Sequence, residues 1–98
     1  MLEFEWDDTK NKANLQKHGI SFETVRELFS SPTLTRIDDR KDYGEIRENS
    51  LGVVEDVVLF VTHTTRNGKI RLISARRANR EEREIYHEYI QRSGAEES

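Results

Sequence analysis

Between Arg66 and Arg80 the chain carries six basic side chains (Arg66, Lys69, Arg71, Arg76, Arg77 and Arg80) and no acidic one, while the whole chain has a net charge of −3. A guanidinium grips phosphate through paired, coplanar N–H donors, a geometry that lysine cannot copy. An acid-free basic stretch in an acidic chain therefore suits either a negatively charged ligand or local ion pairs. Glu81, Glu82 and the carboxylates between positions 38 and 48 are the partners at hand. For any single arginine the ion pair is the simpler use, because such surface contacts are common and weak. For the cluster as a whole, beside Arg66, an anionic ligand is the better reading.

Proton chemistry needs a group that titrates near neutral pH, and the chain has three histidines. His63 falls in a β-branched run and reads as a core or edge residue. His87 stands among Glu84 and Glu88 and reads as structural. His18 follows Lys17 and precedes Gly19, so a helix end would hold it open to solvent. It is a candidate general acid or base with Lys17 as electrostatic partner. Lys10, Asn14, Lys17 and His18 share one helix face by spacing. A solvated polar face is the competing reading of that row.

These groups must be positioned by a small core. Ninety-eight residues make one domain. Residues 1–92 are expected to form it, with 93–98 as a polar tail. Apolar content is 34% and charged content 36%, but the apolar residues fall in periodic runs, which argues against disorder. Cysteine is absent, which removes disulfides and thiolate zinc sites. With scattered histidines no metal or cofactor is expected. No run is long and apolar enough for a membrane span, and MLEFEWDD lacks the basic start of a signal peptide, so a cytoplasmic location is expected.

Leu2, Phe4 and Trp6 alternate with acidic residues as in a short strand. Asp7 or Asp8 then caps a helix over about 9–17, stopped at His18-Gly19. Its only apolar residues are Ala13 and Leu15, which predicts weak docking helped by Trp6 and Ile20. Ser21 caps a second helix over 22–29 with a core stripe at Phe22, Val25, Leu28 and Phe29. Strands are expected over 33–38, over 46–51 as an edge strand followed by a turn at Gly52, over 57–64 as the central strand, and over 70–75. A charged turn spans 39–44, and Asn67-Gly68 is a hairpin signal, in a loop of two residues or longer. Asn79 caps a last helix over 80–91 with Ile85, Tyr86, Tyr89 and Ile90 on one stripe. The order is β-α-α-β-β-β-β-α, an α+β domain with a mostly antiparallel sheet flanked by helices. Strict alternation puts Ile70, Leu72, Ser74 and Arg76 on one face and Arg71, Ile73, Ala75 and Arg77 on the other.

The ordered pieces Phe4-Glu5-Trp6-Asp7, Lys10, Asn14 and Lys17-His18-Gly19-Ile20-Ser21-Phe22-Glu23 resemble the opening of the BrnT-like toxins. Asp42-Tyr43-Gly44-Glu45-Ile46-Arg47 with Gly52 is similar to the family's centre. Thr64-Thr65-Arg66, Arg71 to Ala78, Glu82-Arg83 and Tyr86 continue the likeness, which covers about residues 4–89. The resemblance implies a RelE-like fold and a ribonuclease toxin of a bacterial type II toxin–antitoxin system. It implies cleavage of RNA without a metal, arrest of translation, and neutralisation by a BrnA-like ribbon-helix-helix antitoxin, through which alone operator DNA is bound. The polar positions carried over are Lys17, His18, Glu45, Arg47, Arg66, Ser74, Arg76 and Arg77. The sequence departs at Thr65, where an acidic residue is expected.

Metal-free cleavage needs a base for the 2′-hydroxyl, a cation for the phosphorane oxygens and an acid for the leaving 5′-oxygen. Catalysis is accordingly expected from His18, Lys17, Glu45, Arg66, Arg76 and Arg77, with His18 or Glu45 moving the proton. Substrate binding is expected from Lys10, Arg47, Arg71 and Ser74. The competing class is a non-catalytic binding module, a corepressor-like subunit whose basic face receives an acidic partner segment.

Overall fold

A computed structural model describes residues 2–40 and 42–97. Lys41, expected in the charged turn, lies outside them, as do the two terminal residues. The sheet has five strands: β1 (Phe4–Trp6), β2 (Leu34–Asp38), β3 (Arg47–Val54), β4 (Val57–Arg66) and β5 (Lys69–Arg77). Their spatial order is β1-β5-β4-β3-β2, with β1 parallel to β5 and every other pair antiparallel. The helices are α1 (Asp8–His18), α2 (Phe22–Val25), which tightens into a 3-10 turn over Arg26–Ser30, and α3 (Arg80–Glu97). The α+β class and the element order match the expectation. Several local features do not.

The α1 helix has the expected cap: the Asp7 carboxylate accepts from Lys10 N–H at 3.1 Å, and Gly19 closes it in the left-handed region at φ 71°. Its docking, however, is polar rather than apolar. Leu15 is 51% exposed, whereas Asn14 is buried. β1 ends at Trp6 opposite Leu72, so the edge of β5 beyond that point has no strand neighbour. Asn14 Oδ1 accepts the Ala75 N–H there at 3.0 Å, and its Nδ2 donates to the Ile20 carbonyl at 2.9 Å. Asn11 Oδ1 accepts from the Phe22 N–H at 2.8 Å and ties α1 to α2. Two side-chain amides thus do the work that apolar residues do in most surface helices.

Gly52 lies inside β3, not at a turn. A Cβ there would stand 2.6 Å from Leu28 Cγ, so a side chain is excluded by the 3-10 turn packing onto the sheet. The turn falls three residues later, where Glu55 and Asp56 both take positive φ and join Val54 to Val57 in a two-residue hairpin. The Asn67-Gly68 connection is likewise two residues, both at positive φ, as the type I′ geometry requires. β3 is an interior strand, and the open edge on that side is β2. Helix α3 continues past position 91 to Glu97. Its start is a reciprocal capping box: Glu82 N–H donates to Asn79 Oδ1 and Asn79 N–H donates to Glu82 Oε1, both at 2.8 Å.

Each face of the sheet has its own core. On one, Phe22, Val25 and Leu28 pack against Val54, Leu59, Val61, Leu72 and Ala75. On the other, Tyr86 of α3 packs with Leu51, Val58 and Ala78, and its hydroxyl donates to the Pro32 carbonyl at 2.7 Å. No helix among the described residues is long and apolar enough to cross a membrane.

Candidate functional site

Leu72 and Ala75 belong to the same core although strict alternation would put them on opposite faces. Between the pairs Thr62–Ser74 and His63–Leu72 the residue Ile73 has no partner on β4, a β-bulge. The bulge exchanges the two rows of β5. Ile70, Leu72, Ala75 and Arg77 face the α1–α2 layer, and Arg71, Ser74 and Arg76 face the other side. Arg76 and Arg77 still oppose each other, but the rows expected from alternation are crossed at Ile73.

The face carrying Arg71, Ser74 and Arg76 is organised in transverse rows by the strand register. The outermost row runs Glu5–Arg71–Thr64 and continues on β3 and β2 as Arg47–Asp38. The middle row is Ser74–Thr62–Asn49–Arg36. The third, Arg76–Phe60–Leu51–Leu34, runs under the start of α3. Three of the four expected substrate-binding residues, Arg47, Arg71 and Ser74, therefore share one face with Arg76. The fourth, Lys10, is an exposed residue of α1.

The arginines of this face are held in place by carboxylates. Arg76 binds Glu82 through both nitrogens, at 2.8 and 2.9 Å, while its guanidinium lies 4.1 Å from the Phe60 ring centre. The Glu82 hydrogen bond raises the Arg76 pKa above its usual value, and the same bond lowers that of Glu82. Arg71 lies 3.7 Å from Glu5, and Arg47 lies 3.2 Å from Glu45 and covers the Tyr43 ring. Asp38 accepts from Arg40 at 2.8 and 2.9 Å and from the Tyr43 hydroxyl at 3.3 Å. The Arg40 hydrogen bond holds its carboxyl far below the ordinary range. The local ion pair expected between Arg76 and Glu82 thus exists. Arg36, Arg66 and Arg77 are exposed and form no ion pair with a described residue.

At the outer end of the sheet Glu45 and Arg66 line one cavity of about 540 Å³, together with Gly44, Ile46, Glu48, Thr64 and Thr65. Thr64 belongs both to this cavity and to the outermost arginine row, and its hydroxyl donates to the Ile46 carbonyl. Arg77 stands at the opposite end of the strands. It lines a cavity of about 330 Å³ with Gly19, Ser21, Thr24 and Glu55, on the side where α1 ends in Lys17 and His18. His18 is half-buried and Lys17 exposed. From Leu59, the partner of Arg77, to Arg66 there is roughly 23 Å of strand. Arg66 and Arg77 therefore cannot grip one phosphate, and the expected catalytic residues fall into separate groups: Glu45 with Arg66, Arg76 on the open face, and Lys17 and His18 on Arg77's side.

Two residues of the outer end were not singled out for chemistry by the sequence. Glu48 is the cross-strand partner of His63. His63 is buried, its Nε2 lies 2.7 Å from Ser50 Oγ, and its ring meets Phe29 edge-on. Burial pushes its pKa below 6.5, against the pull of the Glu48 charge. Only the strand register brings Glu48 and His63 together, fifteen positions apart in a sequence with no motif between them. Among the described residues no three His, Asp or Glu side chains are grouped as metal ligands.

A search of individually curated proteins returned no match. The profile of a protein family described as "Ribonuclease toxin, BrnT, of type II toxin-antitoxin system" matches residues 6–82. That span runs from the end of β1 to the capping box of α3 and includes every charged residue placed above on the open face or in the two end cavities, apart from Glu5. The chain belongs to the BrnT family, the ribonuclease toxins of type II toxin–antitoxin systems.

Proposed function

We propose that the chain is a metal-independent endoribonuclease whose substrate lies across the open sheet face and is cut at its outer end. The carrying observation is that a carboxylate and an unpaired guanidinium, Glu45 and Arg66, line one cavity beside the Arg71–Thr64–Arg47 row. Glu45 takes the proton of the 2′-hydroxyl, and O2′ attacks phosphorus. Arg66 neutralises the phosphorane oxygens, the P–O5′ bond breaks, and water at the open cavity protonates O5′. The products are a 2′,3′-cyclic phosphate and a 5′-hydroxyl. Arg47, Arg71, Ser74 and Arg76 hold the flanking phosphates. Cleavage of messenger RNA arrests translation.

The competing site is the Arg77 cavity beside the end of α1, the helix that carries Lys10, Lys17 and His18. Expression of single alanine variants separates the two sites: Glu45→Ala and Arg66→Ala should abolish growth arrest and RNA fragmentation. If instead His18→Ala and Arg77→Ala abolish them and the Glu45 and Arg66 variants stay toxic, the cleavage site is the helical one.

The natural partner in this reading is a BrnA-like ribbon-helix-helix antitoxin, which alone contacts operator DNA. Arg47, Arg71 and Arg76 already bind carboxylates of the chain itself, so the face accepts carboxylates as well as phosphates. An acidic antitoxin segment would exclude RNA by occupying it, and complementary charge would speed the encounter. The same observation is what favours the non-catalytic alternative, in which this face only receives a partner. Purified chain freed of antitoxin and incubated with RNA in EDTA distinguishes the two.

A further inference from the structure

The start of α3 does not close down on the sheet completely. Between it and the segment 38–40 a cavity of about 350 Å³ opens onto the middle row of the arginine-bearing face. Its floor is apolar, from Leu34, Leu51, Phe60 and Ile85; Asn49, Arg36 and Asp38 reach it from the sheet, and Asp39, Arg40 and Glu82 stand around them, with Asp38 paired to Arg40 and Glu82 to Arg76. The size lies at the small end of ligand pockets, and the lining has their usual make-up of apolar walls with a few placed polar groups.

With Asp38 and Glu82 each held by an arginine, the state of Asn49 and Arg36 suggests the ligand. Asn49 Oδ1 is occupied by the Thr62 hydroxyl at 2.8 Å, and the amide Nδ2 has no partner among the described residues. The amide is thus oriented by Thr62 and presents N–H donors to the cavity. Arg36 is exposed and forms no ion pair with a described residue. A flat apolar group carrying hydrogen-bond acceptors at its edge, attached to a phosphate, would satisfy the floor, the amide and the guanidinium together. That is a nucleotide of single-stranded RNA with its base turned out of the stack, the form in which proteins read RNA sequence.

The geometry points to this cavity as a binding pocket for one unpaired nucleobase, read at its acceptor edge by Asn49, with Arg36 on the adjoining phosphate. The proposal rests on the ribonuclease reading above and gives it a source of sequence preference that is separate from the Glu45–Arg66 cavity. An apolar side chain of a protein partner would fill the floor equally well, but it would leave the Asn49 amide donors unused.

The test uses the full chain and two variants. Ile85→Trp fills the cavity. Asn49→Asp keeps the acceptor for Thr62 and removes the donors, and covers the case in which the tryptophan variant fails to fold. Binding of short single-stranded RNAs that differ at one base, and of the same RNA with that base removed, is followed by fluorescence anisotropy. Cleavage ends on a long mixed-sequence RNA are mapped in parallel. The wild type should favour one base by roughly ten-fold over the abasic RNA, a factor in line with the loss of one stacked base. Either variant should lose that preference while still cutting RNA. Wild-type cleavage with a base preference that both folded variants keep overturns the pocket and leaves the ribonuclease reading intact. Base-selective binding without any cleavage sinks the ribonuclease reading and leaves the pocket. Unchanged RNA preference combined with weakened antitoxin binding assigns the cavity to a protein side chain and also overturns the proposal.

Discussion

Leu72 and Ala75, three residues apart on β5, enter the same core because Ile73 between them is unpaired. That single extra residue decides which arginines meet the open face and which meet the helices. A one-residue shift in a strand moves every later side chain to the other face. The bulge absorbs that shift: with Ile73 deleted, Leu72 and Ser74 become consecutive partners of His63 and Thr62, and every other side chain of β5 keeps its face. The deletion variant is therefore expected to keep a cooperative thermal transition followed by circular dichroism. Loss of that transition would mean that Ile73 does more than occupy the bulge.

The Asn14 amide replaces a missing strand at the edge of β5 and also holds the α1–α2 connection. Removing it leaves a buried N–H and a carbonyl without partners, at about 1–3 kcal/mol each. Asn14→Ala should lower the unfolding free energy measured in urea by at least the cost of one such group, about 1–3 kcal/mol, and Asn14→Leu, which adds only apolar bulk, should not recover it. Equal stability of wild type and Asn14→Ala would show that α1 is held by other contacts.

Gly52 is a packing position. Gly52→Ala puts a methyl group into Leu28, and overpacking of this kind costs about 1–3 kcal/mol. In the double variant with Leu28→Ala the Gly52→Ala step should cost less than it does alone, so a double-mutant cycle measured by denaturation reports a coupling of opposite sign to the single effect. Additive costs would place the strain elsewhere.

The contrast between Asn14 and Gly52 shows how far the sequence could be read. Caps, hairpin signals and the stripes of α2 and α3 are local, and the corresponding elements stand where they were expected. Gly52 looked like a turn because a lone glycine after an apolar run usually is one. The real turn is built from Glu55 and Asp56, both at positive φ, of which only Asp adopts that region with any ease, and no glycine marks it. Asn14 read as one of a polar row, either functional or solvated, and nothing local announced its burial against β5. The bulge at Ile73 had no local signature, since Ile suits a regular strand. The candidate site suffered for the same reason. Glu45, Arg66 and the arginines were legible as types, but their grouping depends on register and on the bulge, and His18 and Arg76 fall on different sides of the sheet.

His63 supplies a pH dependence. Burial lowers its pKa from 6.5, so the folded state resists protonation more than the unfolded chain does. The unfolded chain binds the extra proton as pH falls, and stability drops as the pH passes below about 6.5. The urea midpoint should be lower at pH 5 than at pH 7.5, and His63→Phe should flatten that difference. A His63→Phe protein with the full wild-type slope would assign the loss to other groups.

Thr65 lines the Glu45–Arg66 cavity at the position where an acidic residue was expected. A carboxylate placed there should serve the same 2′-hydroxyl. Thr65→Glu is therefore expected to restore part of the cleavage lost in Glu45→Gln, measured as initial rate on a fluorescent RNA. No recovery in a folded double variant would mean that position 65 does not face the reacting atoms.

The most direct measurement is the cleavage rate of antitoxin-free chain on RNA in the presence of EDTA, for wild type, Glu45→Gln and Arg66→Ala. Removing a positioned base or a phosphorane cation costs on the order of 10²–10⁴-fold. The expected result is metal-free cleavage by the wild type and a loss of that size in each variant, with folding unchanged. Wild-type rates in both variants would contradict the assignment of the cavity between Glu45 and Arg66.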